Sequence, residues 1–385
     1  MFYKKFREIV KPLVEPFSWV LFLFLVPMVS IFFLKIYPGG TWADNFNPFY
    51  FLIRWDSWYF LELAQGGYNA GLATWFPLYP WLSMIFYSVF NSFVIAGIFV
   101  SFASLFLAII YYKKLLGGDS EFKTKAVALM LFYPGAIFLG LVYSESLFLL
   151  LNVAFFYYLF NKKWLVAAIL GFFACLTRNF GIFLWAVYLV FYLLDSYKLT
   201  GSWKVFVLKW RSIIFNKNFF FSLIIPLGLA SYMLFCFVKF GDPLLFVHQQ
   251  KAWAEWRKFC WPWDWFRGYY NYIFVDKTWN DNIYSFSRRV LIEFGSWFLL
   301  LVATIYWLFK KHWTYFIFCL LPLLVFIFTF PMTSVNRYVC VIFPIFIFLA
   351  EVLNKKPFLY YIYLLASFIF YVFNIMLFIN GSWVG

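Results

Sequence analysis

The chain is a succession of apolar runs, many about as long as a lipid bilayer is thick, and this limits its folds before any single residue is considered. Runs lie at about 17–37, 93–112, 126–142, 146–160, 164–177, 180–194, 219–239, 289–309, 313–330, 338–353 and 358–379. A helix needs roughly 20 apolar residues to cross a ~30 Å hydrocarbon core, where only segments that satisfy their own backbone hydrogen bonds persist. The expectation is an all-α polytopic membrane protein with about 11 transmembrane helices. A mean hydropathy of +0.82 and a charged fraction of 12% agree with that class.

The net charge of +15 would suggest a nucleic-acid partner in a soluble chain, but here it is read as orientation, and no nucleic acid is expected. The N-terminal tail and the connectors 113–125, 162–163, 198–217, 310–311 and 355–356 hold 19 of the 31 basic residues, all on one side of the span map. The positive-inside rule makes that side the cytoplasm, with the N-terminus in and the C-terminus out. The opposite face then receives long first and fourth outer loops, about 38–92 and 240–288, expected to carry membrane-lying helices. Residues 1–385 read as a single integral-membrane domain without internal repeats. Of the five cysteines, only Cys260 falls in a loop, so no disulfide framework follows. Lys4, Lys5, Arg7 and Lys11 before the first run imitate a signal peptide, but the run lacks a small-residue cleavage site and reads as a retained helix.

The run from Trp164 to Leu194 tests the map. One long helix would carry the basic 198–217 segment to the outer face, whereas a break at Thr177-Arg178-Asn179 preserves the charge rule. Arg178 then lies below the outer surface, where an arginine needs water or an anionic partner.

Chemistry concentrates on the outer face. Arg54, Asp56 and Glu62 lie within nine residues, between aromatic rings and ahead of Gly66-Gly67. Residues 49–65 have helical spacing, with the glycines as a C-terminal cap. At about 100° per residue Arg54 and Asp56 cannot pair along such a helix, and Asp56 and Glu62 cannot share a two-carboxylate site. Asp56 is the candidate catalytic residue, a general base for an acceptor hydroxyl; the alternative is a structural pair with a distant arginine. Trp55, Arg54 and Glu62 accompany it as candidate binding residues. In Trp75-Phe76-Pro77-Leu78-Tyr79-Pro80-Trp81 the prolines forbid a regular helix start before Pro80, leaving Tyr79 and its neighbours to stack on a sugar or isoprenoid.

Arg178 and Arg337 are the candidate phosphate-binding residues, since a guanidinium fork matches phosphate; either alone could equally neutralise Glu145 or Asp56. Ser144-Glu145-Ser146 reads first as a helix N-cap with a dipole-matched carboxylate, and second as substrate binding. In the fourth outer loop Asp242 starts a turn before Pro243 and is as suited to capping as to binding. His248 lacks a second ligand at metal spacing, so no metal site is expected. His248, Gln250 and Trp253 are candidate binding residues, and the tryptophans of this loop fit a sugar or lipid, or an interfacial belt.

The ordered set resembles the PIG-V family of membrane mannosyltransferases, which includes GPI mannosyltransferase 2 (glycosyltransferase family 76, GT-C superfamily). The resemblance rests on Arg54-Trp55-Asp56 with Phe60-Leu61 and Gly67-Tyr68, then Phe76-Pro77-Leu78-Tyr79-Pro80. It continues through Tyr133-Pro134-Gly135, Tyr143-Ser144-Glu145-Ser146, Thr177-Arg178-Asn179 with Gly181, Gly241-Asp242-Pro243-Leu244, and Arg337-Tyr338 with Phe343-Pro344. It implies a GT-C fold and an inverting, metal-independent transferase without cofactors. The donor would be a polyprenyl- or dolichyl-phosphate sugar, the acceptor a lipid or glycan hydroxyl, and Asp56 the base. Trp58 stands where the eukaryotic pattern has His, which bears on the acceptor, and the short loops suit a prokaryotic inner-membrane protein. A lipid-linked-sugar flippase, or a GT-C transferase of another branch such as a protein O-mannosyl or aminoarabinose transferase, are the competing readings.

Overall fold

The computed structural model describes residues 13–23, 25–26, 29, 53–250, 258–271, 292–330, 334–379 and 384. Among the described residues the protein is all-helical apart from a two-residue antiparallel pairing of β1 (Lys258–Phe259) with β2 (Thr329–Phe330). Five helices are long and apolar enough to cross a membrane, and six shorter apolar helices accompany them among the described residues. Large hydrophobic side chains such as Ile85, Leu234, Val238 and Phe358 stand exposed, as the surface of a membrane protein requires. The chain divides into two compact units, one of residues 1–67, 79–153 and 349–385, the other of 68–78 and 154–348.

The first unit contains α1 (Leu13–Leu23), α2 (Asp56–Gly66), nearly all of α3 (Leu78–Phe90), α4 (Phe93–Leu115), α5 (Ser120–Leu131) and the start of α6 (Glu145–Phe160). Glu15 of α1 forms an ion pair with Lys113 of α4 (2.5 Å) and accepts a hydrogen bond from Thr124 of α5 (3.0 Å). Asp119 caps α5 by accepting from the Phe122 N–H (2.8 Å). The expected span 126–142 is not one helix. Pro134-Gly135 stops α5, and 134–139 wind into a buried 3-10 turn instead. Buried side chains hold this irregular stretch: Ser101 donates to the Leu141 carbonyl (2.7 Å) and Asn374 to the Pro134 carbonyl (3.0 Å).

The second unit contains the remainder of α6, α7 (Trp164–Thr177), α8 (Phe183–Thr200), α9 (Ile224–Phe240), α10 (Pro262–Tyr270), α11 (Gly295–Phe309), α12 (Trp313–Ile327), α13 (Val335–Val339) and the first half of α14 (Pro344–Leu353). The closing helix α15 (Pro357–Ile379) belongs to the first unit. The break expected at Arg178 is present: α7 ends at Thr177, 179–182 make a 3-10 turn, and α8 begins at Phe183. The expected span 338–353 is divided between α13 and α14, because Pro344 cannot continue a helix from Val339.

Two expectations for the first outer segment are also corrected. The helix placed at 49–65 begins at Asp56 among the described residues, so Arg54 precedes it and the angular argument between the two does not apply. The 75–81 stretch is not irregular up to Pro80: Trp75, Phe76 and Tyr79 are buried while Trp81 is exposed, and α3 starts at Leu78 because Pro80 is tolerated in a first turn. Gly67, at φ 74°, closes α2 through its N–H to the Leu63 carbonyl (3.1 Å), as the glycine pair suggests.

The turn after α7 leaves no room for a side chain at Gly181, where a Cβ would lie 2.3 Å from the Ala174 carbonyl carbon and 2.4 Å from the Cys175 nitrogen. Gly181→Ala is expected to lower stability by about 1–3 kcal/mol, since backbone must move. Gly295→Ala, with nothing within 4 Å of its Cβ, is neutral or stabilising. Thermal unfolding of both variants in detergent checks the contrast.

Candidate active site

In the first unit the Asp56 segment is fixed from below. The Tyr143 hydroxyl donates to the Arg54 carbonyl (2.9 Å), while Phe60 on the buried side of α2 packs on Tyr79 (5.0 Å) and Tyr143 (6.4 Å). Tyr79 is fully buried and donates to the Gly97 carbonyl (2.9 Å), with the Ser101 hydroxyl also 2.9 Å away. Its expected part in substrate stacking gives way to a packing role. Trp55 holds φ 55° and ψ −120°, a conformation that costs a non-glycine residue on the order of 1–3 kcal/mol. Such strain just ahead of a carboxylate is the kind that accompanies function.

Asp56 itself occupies the first turn of α2, where the helix dipole favours a carboxylate. It is half-buried, whereas Trp55, Trp58 and Glu62 are exposed. Burial lowers the pKa of the Arg54 guanidinium, and burial followed by the charges of Asp56 and Glu62 raises that of the Tyr59 phenol. Glu145, buried at the start of α6, has the dipole-matched position that the capping reading requires.

In the second unit both arginines are buried. Arg178, 8% exposed, lies over the Tyr338 ring with its guanidinium carbon 4.7 Å from the centroid, and Phe180 stacks on the same ring at 4.8 Å. Arg337, 5% exposed, is the adjacent residue on α13. The sequence reading did not include Glu293. Its buried carboxylate accepts from the N–H groups of Ser334 (2.9 Å), Val335 (2.6 Å) and Asn336 (3.3 Å), and so seats the N-terminus of the helix that bears Arg337. A lone glutamate at the head of an apolar run was the only available signal.

Asp242 and His248 are joined in the same unit, Oδ2 to Nδ1 at 2.6 Å, while Asp242 Oδ1 accepts from the Leu244 N–H (2.9 Å). Asp242 therefore serves its turn, and the His248 hydrogen bond, outweighing some loss of hydration, lowers its pKa below the ordinary 3.8. Gln250 is half-buried beyond them, and Trp253 lies outside the described residues. Trp261 and Trp263 stack on each other (5.2 Å) and are exposed, whereas Trp265 is buried. Among the described residues no group of three or more His, Cys, Asp or Glu could hold a metal ion.

No protein-family model and no curated protein sequence matches the chain. Among solved structures it is similar to the Archaeoglobus fulgidus oligosaccharyltransferase in complex with Zn and sulfate, at 14% identity and a TM-score of 0.45. The match covers 94% of this chain and 53% of that one, so the chain spans about half the length of its structural neighbour. At that identity and score the likeness assigns no residue a role.

Glu293→Ala strips a charged acceptor from three backbone donors and is expected to cost on the order of 3 kcal/mol, with Glu293→Gln losing less. Thermal unfolding and amide exchange at 334–338 measure it. A depressed Asp242 pKa stabilises the turn fully above pH 3.8, and that contribution is lost as pH falls through the lowered value. Carboxyl 13C titration should show Asp242 below its ordinary range, and His248→Ala should bring it back up.

Proposed function

We propose that the chain is a GT-C glycosyltransferase of the PIG-V type, moving a sugar, mannose by family resemblance, from a polyprenyl-phosphate donor to a lipid or glycan hydroxyl. The observation that carries this reading is the buried Arg178 lying over Tyr338, the residue next to the buried Arg337 on a helix seated by Glu293. Two cations in one low-dielectric neighbourhood set a potential suited to a phosphate, and guanidinium forks match its oxygens. The dipole-supported Asp56, next to the strained Trp55, supplies the second requirement, a carboxylate held ready as a base.

In the proposed step the acceptor O–H gives its proton to Asp56 as its oxygen bonds to the anomeric carbon from the face opposite the phosphate. The bond from that carbon to the phosphate oxygen breaks, the electron pair leaves with the polyprenyl phosphate, and the configuration inverts. Arg178 and Arg337 stabilise the charge that develops on the leaving phosphate. The step needs no nucleotide and no redox partner. On the topology given by the lysine bias it occurs on the outer face of a multi-pass protein, with the donor arriving through the membrane.

Asp56→Asn in the folded, purified protein is expected to reduce sugar transfer from a radiolabelled polyprenyl-phosphate donor by roughly 10²–10⁴-fold. Arg178→Lys and Arg337→Lys should raise KM for the donor more than for the acceptor. Near-normal transfer by Asp56→Asn would remove the base, and translocation of the lipid without glycosidic bond formation would favour a flippase.

A further inference from the structure

The second unit holds a cavity of about 500 Å³ that the transferase reading does not use. It opens where the end of α6, the end of α8 and the turn between α11 and α12 meet, and is lined by Phe160, Phe191, Asp195, Lys198, Lys311 and Trp313, among others. Arg178 is at the other end of α7, a helix of 14 residues or ~20 Å, from the Lys162-Lys163 turn. The charge bias assigns this lysine-bearing end to the cytoplasmic side.

The charges around the cavity do not cancel. Asp195 is engaged by Lys162 at 2.6 Å, and neither Lys198 nor Lys311 is paired with a carboxylate among the described residues. The turns that deliver lysine here are built alike. After α6, Lys162 and Lys163 donate to the carbonyls of Leu159 and Tyr158 (both 2.9 Å); after α11, Lys311 and His312 donate to Leu308 and Trp307 (both 3.0 Å). Lys162 and Lys311 each take φ 55°, the left-handed position where glycine is the relaxed choice. A lysine there is strained by its backbone, yet it brings an ammonium to the cavity or to the acid beside it. Behind it the imidazole of His312 stacks on Tyr315 at 4.0 Å and 8°, which stiffens the turn. The cavity thus has apolar and aromatic walls with two uncompensated cations.

The geometry points to a binding site for the phosphate headgroup of an anionic phospholipid from the cytoplasmic leaflet. Lys198 and Lys311 would face the phosphate, and the Phe160, Phe191 and Trp313 surfaces the glycerol and upper acyl chain. Cytoplasmic-side basic pockets between helices suit such headgroups. Free phosphate shares the charge but has nothing to place on the aromatic walls. The site stands on the cavity and its lysines, independently of Asp56 and the two arginines.

Native mass spectrometry of the full chain, released from micelles containing phosphatidylglycerol, phosphatidylcholine or inorganic phosphate, tests it. One retained phosphatidylglycerol is expected, weakened roughly tenfold to thirtyfold in a Lys198→Gln, Lys311→Gln double variant. Leu194→Trp, which fills the cavity without touching either charge, should reduce retention as well. Equal retention of phosphatidylcholine, displacement by inorganic phosphate, or unchanged phosphatidylglycerol binding in both variants would each overturn the proposal. Because sugar transfer is not the readout, the result is independent of whether Asp56 is a base.

Discussion

A polypeptide that leaves helical geometry inside an apolar bundle must find partners within the protein for every backbone group it frees. That requirement organises this chain. In the first unit the non-helical stretch between α5 and α6 is held by Ser101, Ser146 and Asn374, each donating to one of its carbonyls. In the second, Glu293 takes three N–H groups at the head of α13, and Tyr232 donates to the Ala73 carbonyl (2.6 Å). These interruptions are therefore clamped by side chains, and Arg337 sits beside one of them, while Arg178 and Asp56 lie at other breaks in helical geometry.

This arrangement explains why the polar groups are expensive yet rigid. A buried hydroxyl such as that of Tyr79 contributes little net energy by its hydrogen bond, but removing its partner exposes an unmet donor. The Tyr79–Ser101 pair links α3 to α4 and, through Leu141, to the non-helical stretch, so displacement of any one is felt by the others. Asp56 inherits that rigidity through Phe60 and Tyr143.

Local signals carried the parts of the fold that local physics decides. The glycine pair closing α2, the end of α7 at Thr177 and the long apolar helices follow from composition and periodicity. The pairing of Asp242 with its own turn follows from the Asp-Pro step. What could not be read was set by distant contacts. Hydropathy carried 126–142 and 338–353 as continuous because buried 3-10 and coil segments are as apolar as helices, and only the prolines hinted otherwise. Tyr79 seemed available because its partners lie 18 and 22 residues away, and Glu293 was passed over because its acceptors' donors are more than 40 residues on. The left-handed Trp55 has no sequence signature at all, since tryptophan rarely adopts it.

The ring of Tyr338 between Phe180 and Arg178 has a kinetic meaning. A guanidinium held over an aromatic ring has lost rotameric freedom during folding, so in the proposed phosphate site an arriving anion would not have to restrain a wandering side chain. The encounter then resembles insertion of a key into a machined slot: association is governed by approach, and the lifetime of the complex by how readily the anion sheds its contacts. Loosening that stack would shorten residence without altering the charge that greets the visitor.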